Sequence, residues 1–153
     1  AKYQSNLQSY YPFTTDSNDY STIKLFGDLT STATYTYSND GIYIENTGLR
    51  TTTNNKTLPN KFTIIIDYKP TTSDSTFHHI WGIWQGENNS QSYNSLAQYG
   101  NKYQIQNGTS AKETINFPLQ IDKWHRLIVV NDATKWQLYL DGNFLIELSY
   151  KKS

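Results

Sequence analysis

The feature that most constrains the fold is a run of alternating apolar residues, 123-KWHRLIVVNDATKWQLYLDGNFLIEL-148. Side chains of an extended chain alternate between its two faces, so Trp136, Leu138 and Leu140 share one face. A following Asp-Gly pair suits a tight hairpin turn, because glycine tolerates positive φ. The run therefore predicts three successive antiparallel strands, each with one face in a core.

Short extended segments separated by turn residues continue through the rest of the chain, and helical periodicity is hard to find. This pattern predicts an all-β sandwich or barrel. The chain has 153 residues and shows no linker or repeat, so a single domain over residues 1–153 is predicted, cut from a larger protein. Further strands are predicted at 7–13, 23–26, 32–38, 42–45, 61–70, 77–85, 96–99, 102–106 and around 115–117.

Composition limits the classes of partner. Thirteen Lys and Arg balance thirteen Asp and Glu, so the chain lacks the basic excess typical of nucleic-acid or anionic-membrane binding. Its apolar runs are strand-sized and too short to span a membrane. Cysteine is absent, which excludes disulfides and thiolate chemistry. The abundant Tyr, Asn, Ser and Thr suit sugar recognition, but they equally suit a polar β-rich surface.

Several motifs, taken in order, resemble the laminin-G-like branch of the concanavalin A-like jelly rolls. The segments 124-WHRLIVV-130 and 136-WQLYLDG-142 are similar to two adjacent strands of that family. Upstream, 62-FTIIIDYKP-70 resembles its Phe-Thr-Ile-Ser-Phe-Trp-Val-Lys-Pro strand, and 16-DSNDYS-21 resembles an early loop. The resemblance covers roughly residues 8–149. It implies a two-sheet antiparallel jelly-roll sandwich with one concave sheet, and it implies that Trp124 is a core residue.

The strand at 62–70 departs from the family pattern, because Asp67 stands where the family usually has Trp. If the register holds, Thr63, Ile65 and Asp67 face away from the core. A carboxylate there can bind a pair of sugar hydroxyls, or it can be an ordinary solvated strand charge.

The main predicted binding site lies between residues 81 and 103, where aromatic and amide side chains surround a long polar loop. Long loops in compact domains often carry function. Trp81 and Trp136 are predicted to fill the core, whereas Trp84 is predicted to be exposed. The predicted ligand-binding residues are Trp84, Gln85, Glu87, Asn88, Tyr93, Tyr99 and Tyr103, together with Asp67.

Catalysis is not predicted. None of the four Glu lies in the paired-carboxylate strand of the jelly-roll glucanases, and no nucleophile elbow is present. The family resemblance implies calcium as a cofactor, with Asp16, Asn18, Asp19 and, separately, Asp132 as candidate ligands, although oxygen-rich loops also arise from turn chemistry. His78 and His79 are adjacent and face opposite sides of a strand, so they do not form one metal site.

The leading prediction is a non-catalytic carbohydrate-binding module at an extracellular or virion surface. In its absence of Cys and its abundance of Asn and Tyr, the chain is similar to accessory modules that hold bacterial cell-wall polysaccharide. Such modules occur on phage tail or baseplate proteins and on secreted bacterial proteins. The alternative is a structural or protein-interaction jelly roll without a sugar site. A flat apolar patch would distinguish this alternative from an aromatic-lined site.

Overall fold

The computed structural model describes residues 7–45, 48–51, 59–84, 93–107, 111–115 and 120–149. Within these ranges the regular structure is entirely β-strand, so the all-β prediction is confirmed. The chain divides into two compact units, Ala1–Thr57 and Leu58–Ser153. A single domain over the whole chain stays a prediction.

The first unit contains four two-residue strands in its described part, arranged as two antiparallel pairs: β1 (Leu29–Thr30) with β4 (Arg50–Thr51), and β2 (Tyr37–Ser38) with β3 (Gly41–Ile42). The turn predicted after residue 38 is confirmed. The strands predicted at 7–13 and 23–26 are wrong, and those at 32–38 and 42–45 are much shorter than predicted.

Side-chain hydrogen bonds explain the missing strands of the first unit. The backbone N–H of Tyr10 donates to Asp19 Oδ1 at 2.9 Å, and the N–H of Phe26 donates to Ser9 Oγ at 3.1 Å. Ser21 Oγ donates to the carbonyl of Gln8 at 3.1 Å. Such local bonds compete with strand ladders for backbone groups, so the segments run as irregular chain.

The second unit contains two four-stranded antiparallel sheets. Sheet I has the order β12-β11-β10-β5 and sheet II the order β6-β7-β8-β9. The chain crosses from sheet I to sheet II after β5 and returns to sheet I after β9, which gives the predicted two-sheet jelly-roll sandwich. The strands are β5 (Phe62–Tyr68), β6 (Phe77–Trp84), β7 (Tyr93–Tyr99), β8 (Lys102–Asn107), β9 (Ala111–Ile115), β10 (His125–Asn131), β11 (Lys135–Leu140) and β12 (Asn143–Ser149).

The core lies between the two sheets and follows the predicted alternation. On β10, Leu127 and Val129 are buried, as the sequence predicts. On β11 the alternate residues Trp136, Leu138 and Leu140 are buried, also as predicted. Trp81 packs against Trp136, with ring centroids 5.3 Å apart. Full burial of one large apolar side chain stabilises the fold by about 1.5–3 kcal/mol. The buried apolar residues of both sheets are Leu96, Tyr103, Ile105, Ile115, Leu127, Val129, Trp136, Leu138 and Leu140.

The predicted hairpin turns are also confirmed. Asp141 and Gly142 join β11 to β12 with φ angles of 49° and 84°. Two successive positive φ values are typical of a type I′ turn, whose twist matches that of the flanking strands. Gly100, with φ of 60°, begins the turn between β7 and β8.

Trp124 is not a core residue, so this expectation from the family resemblance is wrong. It is 48% exposed, whereas its neighbour His125 is buried. The odd-numbered residues of β10 point inward, so a residue at an even position just before the strand faces outward. The long loop predicted to end at Ser95 also ends earlier, because β7 begins at Tyr93.

Candidate functional site

The predicted aromatic site is divided by strand pairing. In the β6–β7 hairpin, Trp84 pairs with Tyr93 at one end, and Phe77 pairs with Tyr99 at the other. Six residue steps along a strand separate the two pairs by about 20 Å. Tyr99 therefore cannot share a small ligand with the loop end of the hairpin. Gln85, Glu87 and Asn88 lie outside the described residues, as do the side chains of Trp84 and Tyr93.

Tyr103 belongs to the core rather than to a binding surface, which corrects its predicted role. Its side chain has 0% exposure. Its hydroxyl lies 2.5 Å from the hydroxyl of Tyr68, and the two rings are in an edge contact at 6.4 Å. Burial raises the pKa of both phenols. Tyr103 and Ile105 lie on the face of β8 that points into the core. No ligand therefore reaches the Tyr103 ring.

Tyr99 forms an exposed aromatic pair with Phe77, a residue that the sequence analysis did not select. The ring centroids are 4.6 Å apart with an interplanar angle of 32°. Tyr99 is 40% exposed and Phe77 is 49% exposed. His79 stacks beside Phe77 at 6.4 Å. The signal that could have found Phe77 is the antiparallel pairing of β6 with β7, which places Phe77 opposite Tyr99.

A polar cluster precedes and enters β6. Asp74 Oδ1 lies 2.7 Å from His78 Nε2 and accepts the backbone N–H of Thr76 at 3.0 Å. The Thr76 hydroxyl also donates to Asp74, and it lies 2.9 Å from the same His78 nitrogen. The Thr76 hydroxyl, followed by His78, holds the pKa of Asp74 far below its usual range. One imidazole nitrogen faces both groups, so His78 does not stand between them as the base of a catalytic triad does.

Asp67 lies on the outward face of sheet I, as predicted from the strand register. Its Oδ1 accepts Arg126 Nε at 2.7 Å and its Oδ2 accepts Arg126 Nη2 at 2.8 Å. Both side chains are about half exposed. The Arg126 hydrogen bonds hold the pKa of Asp67 below its ordinary value. The Asp67–Arg126 pair therefore presents an anion and a cation side by side at the surface.

Beside this pair, four apolar side chains cross the outer face of sheet I in one line. Strand pairing aligns Ile65 of β5, Ile128 of β10, Tyr139 of β11 and Phe144 of β12. We call these four residues the apolar row. Ile65 is 60% exposed and Phe144 is 54% exposed, and the Tyr139 and Phe144 rings meet edge-on at 5.6 Å.

The opposite side of the apolar row carries a second polar cluster. Glu147 accepts a hydrogen bond from Gln137 Nε2 at 2.9 Å and pairs with Lys135 Nζ at 3.0 Å. The Gln137 bond and then the Lys135 bond lower the pKa of Glu147. Charged groups on both sides of the apolar row are thus engaged by opposite charges of the same chain.

Trp124 extends this outer face beyond the Asp67–Arg126 pair. It directly precedes β10 and continues the outward-facing series of that strand through Arg126 and Ile128. The ammonium of Lys69 lies 5.6 Å from the centroid of the Trp124 ring, within cation–π range. The outer face therefore carries an exposed indole, an ion pair and an apolar row in succession.

His125 and Asp141 fasten the base of this face. His125 Nδ1 lies 2.7 Å from Asp141 Oδ2, and its Nε2 lies 3.0 Å from the carbonyl oxygen of Gln120. Asp141 Oδ1 also accepts the backbone N–H of Arg126 at 2.8 Å. Partial burial raises the pKa of Asp141, but the bonds from Arg126 and His125 outweigh burial and leave this pKa below its ordinary value.

The predicted calcium ligands lie in the first unit, and two of them meet. Asp16 accepts the backbone N–H and the side-chain amide of Asn18, both at 3.0 Å, and the hydroxyl of Tyr20 at 2.8 Å. Asp19 is buried, and its Oδ1 accepts the backbone N–H of Ser21 at 3.0 Å. In the part of the chain that the structure describes, no three His, Cys, Asp or Glu side chains converge as metal ligands. Calcium binding stays a prediction.

The described segments contain no helix that is long and apolar enough to cross a membrane.

Comparison with known proteins assigns the chain neither a family nor a function. No protein-family model and no curated protein matches the chain. One similar solved structure concerns botulinum neurotoxin type C, which enters cells in a way dependent upon interaction with two ganglioside molecules. The identity is 18% and the TM-score is 0.38, over 60% of this chain and 23% of that chain. This chain thus spans about a quarter of the neurotoxin chain, and a likeness this weak carries no argument about function.

Proposed function

We propose that the chain is a non-catalytic carbohydrate-binding module. The observation that carries the proposal is the outer face of sheet I, where Trp124 and Phe144 are each about half exposed on either side of the Asp67–Arg126 pair. Sugars present apolar C–H faces that pack on aromatic rings, and hydroxyls that bond to charged and amide groups. Exposed aromatic side chains beside ordered polar groups are the surface that such ligands require.

The polar geometry supports binding rather than catalysis. A retaining glycosidase needs two carboxyl groups about 5–5.5 Å apart, one of them with a raised pKa. On this face the pKa of Asp67 and that of Glu147 are both lowered, and each carboxylate is held by a cation. Neither group is suited to deliver a proton at neutral pH.

The partner that we propose is a bacterial cell-wall polysaccharide, held by a module of a phage tail or baseplate protein or of a secreted bacterial protein. The working location is then the virion surface or the extracellular space. An open sheet face buries little of its ligand, so each site binds weakly. Many copies on one particle or cell raise the overall affinity through effective concentration.

The test is binding of the fluorescently tagged chain to Gram-positive cells and purified wall polysaccharides. We expect binding that Trp124→Ala weakens and that Phe77→Ala, a matched exposed-aromatic control on sheet II, leaves unchanged. Trp84→Ala, measured in parallel, tests the loop site predicted from the sequence. Chelation with EDTA tests whether calcium contributes. Absence of binding to every strain and polysaccharide, even for a multimerised chain, would refute the proposal.

The apolar row also favours a second candidate, a protein-interaction domain without a sugar site. Two of its four residues are Tyr139 and Phe144, and aromatic side chains are enriched at protein interfaces. In this case the tagged chain would bind no polysaccharide, and substitution of Ile65 by Asp would abolish a protein contact instead.

A further inference from the structure

We infer that the outer face of sheet I selects an uncharged, extended saccharide segment, and that the Asp67–Arg126 pair is the element that determines its specificity. The inference rests on the proposed carbohydrate-binding function and gives that function a surface and a ligand class. Four features of the face lead to it: its size, its charge balance, the direction of its apolar row and the free hydrogen-bonding capacity of the ion pair.

The size of the face favours a small ligand over a protein. Four strands span three interstrand spacings, or about 14 Å, and the four residue steps from Thr63 to Asp67 also span about 14 Å. The area between the two polar sides is therefore roughly 200 Å². A stable protein complex buries about 800 Å² on each partner. The apolar area between the polar sides is about a quarter of that size, and it matches the C–H faces of a short oligosaccharide.

The charge balance favours an uncharged ligand. The carboxylate of Asp67 is paired with Arg126, and the carboxylate of Glu147 is paired with Lys135. Lys69 lies over the Trp124 ring and keeps its charge. The partly exposed carboxylate of Asp141 lies beside Arg126 at the base of the same face, so three carboxylates stand against three cations. A polyanionic glycan would meet no excess of positive charge on the described part of this face, and a cationic ligand would meet no excess of negative charge. Electrostatic attraction therefore adds little.

The apolar row sets the direction of the ligand. It runs across the strands from Ile65 to Phe144, with hydrogen-bonding groups on both of its sides. A saccharide chain that lies along the row places its C–H faces on apolar side chains and directs its hydroxyls toward the two polar sides. A chain parallel to the strands would instead cross both ion pairs and lose most of the apolar contact.

Asp67 and Arg126 can still bond to a ligand while they are hydrogen-bonded to each other. A guanidinium has five N–H donors, and Asp67 uses the Nε donor and one on Nη2. Each carboxylate oxygen accepts one of these bonds and retains a further lone pair. The pair thus offers a donor and an acceptor next to each other at fixed spacing, because the bidentate contact orients both groups. Two neighbouring sugar hydroxyls match this arrangement.

The experiment is methyl NMR on the whole chain with labelled isoleucine, using Ile65→Val and Ile128→Val to assign the two signals of the apolar row. The ligands are uncharged hexasaccharides of β-1,4-glucan, β-1,3-glucan, α-1,4-glucan, β-1,4-mannan and β-1,4-galactan, with oligogalacturonate as the acidic comparison. We expect at least one uncharged hexasaccharide to shift both methyl signals, with an affinity that is unchanged between low and high ionic strength.

Two variants test the roles of the named residues. Phe144→Ala should weaken binding about tenfold, the equivalent of one lost aromatic contact, and Phe77→Ala should not. Asp67→Asn leaves the Arg126 charge without its partner, so it should weaken the uncharged ligand and introduce salt-sensitive binding of oligogalacturonate. The reciprocal exchange Asp67→Arg with Arg126→Asp keeps the face neutral and should not introduce that binding.

The outcomes separate this inference from the proposed function. If a saccharide binds but the Ile65 and Ile128 signals do not move, or if only oligogalacturonate moves them, the inference fails and the carbohydrate-binding function stands. If no hexasaccharide moves them, the inference fails; the proposed function fails as well only if the chain also binds no Gram-positive strain and no purified wall polysaccharide. Unchanged selectivity in Asp67→Asn would remove the Asp67–Arg126 pair as the determinant of specificity.

Discussion

The hydroxyl pair of Tyr68 and Tyr103 offers a direct test of the core, because the sequence favours Tyr103 as a ligand residue and the structure buries it. The two oxygens lie 2.5 Å apart, and Tyr103 has no exposed surface. In Tyr103→Phe the ring stays and packs as before, but the Tyr68 hydroxyl loses its partner. The variant therefore isolates one buried hydrogen bond.

The expected cost follows from the asymmetry of buried hydrogen bonds. Leaving one buried partner unsatisfied costs about 1–3 kcal/mol, whereas removing both partners together can be nearly neutral. Tyr68→Phe and Tyr103→Phe should each lower the free energy of unfolding by this amount, and the double variant should cost less than the sum. For a chain of this length, each kcal/mol lowers Tm by about 2–4 °C.

Urea denaturation of the four proteins completes the double-mutant cycle, with constant m-values as the control for an unchanged unfolding transition. Strictly additive single costs would show that the hydroxyls do not interact. A loss of saccharide binding in Tyr103→Phe, with stability unchanged, would show that the Tyr103 hydroxyl contacts the ligand and would contradict its place in the core.

Three further predictions concern stability. Despite partial burial, the pKa of Asp141 is lowered from 3.8 in the folded chain by its bonds to the Arg126 N–H and to His125. These bonds should stabilise the fold above this pH and be lost as the pH falls through the folded value. Asp141→Asn should therefore flatten the acid side of a stability–pH profile. Gly142→Ala should cost about 1 kcal/mol in urea denaturation through backbone strain alone, because φ is +84° and a Cβ would meet no atom within 4 Å. Gly48→Ala, which also meets no atom and lacks a positive φ, should cost far less than Gly142→Ala. Leu127→Ala should cost about 2–5 kcal/mol by the same assay, since its side chain has no exposed surface, and a cost near zero would contradict its place between the sheets.

Most strands of the second unit were predictable because each has one face in the core, whereas β9, predicted around residues 115–117, lies at Ala111–Ile115. A period of two then fixes both the strand and its buried side, as in β10 and β11. In the first unit this logic fails. The backbone of Tyr10 bonds to the side chain of Asp19, and the backbone of Leu25 bonds to the carbonyl of Gln8. The alternation of apolar and polar residues in this unit therefore does not indicate a strand with one buried face.

The predicted site was selected from residues that are close in sequence, and the structure separates those members that it describes. Aromatic residues between 81 and 103 look like one cluster on the linear chain. The hairpin then separates Tyr99 from Trp84, and the phase of β8 buries Tyr103. The outward position of Asp67 was correctly predicted, but its partner Arg126 lies 59 positions away and is brought to it only by the β5–β10 register.

One extra residue in β12 allows both Phe144 and Glu147 to lie on the outer face of sheet I. Phe144 and Glu147 are three positions apart, so strict alternation would place them on opposite faces. Between Leu138 and Tyr139 the β11–β12 register shifts, and Leu145 is the residue passed over. A bulge of this kind puts two residues opposite one and reverses the phase of the strand beyond it. Phe144 thereby joins Tyr139 in the apolar row, and Glu147 still meets Gln137 on the same outer face. Residues of four strands form this face only through long-range pairing and a single irregularity, and neither leaves a local pattern in the sequence.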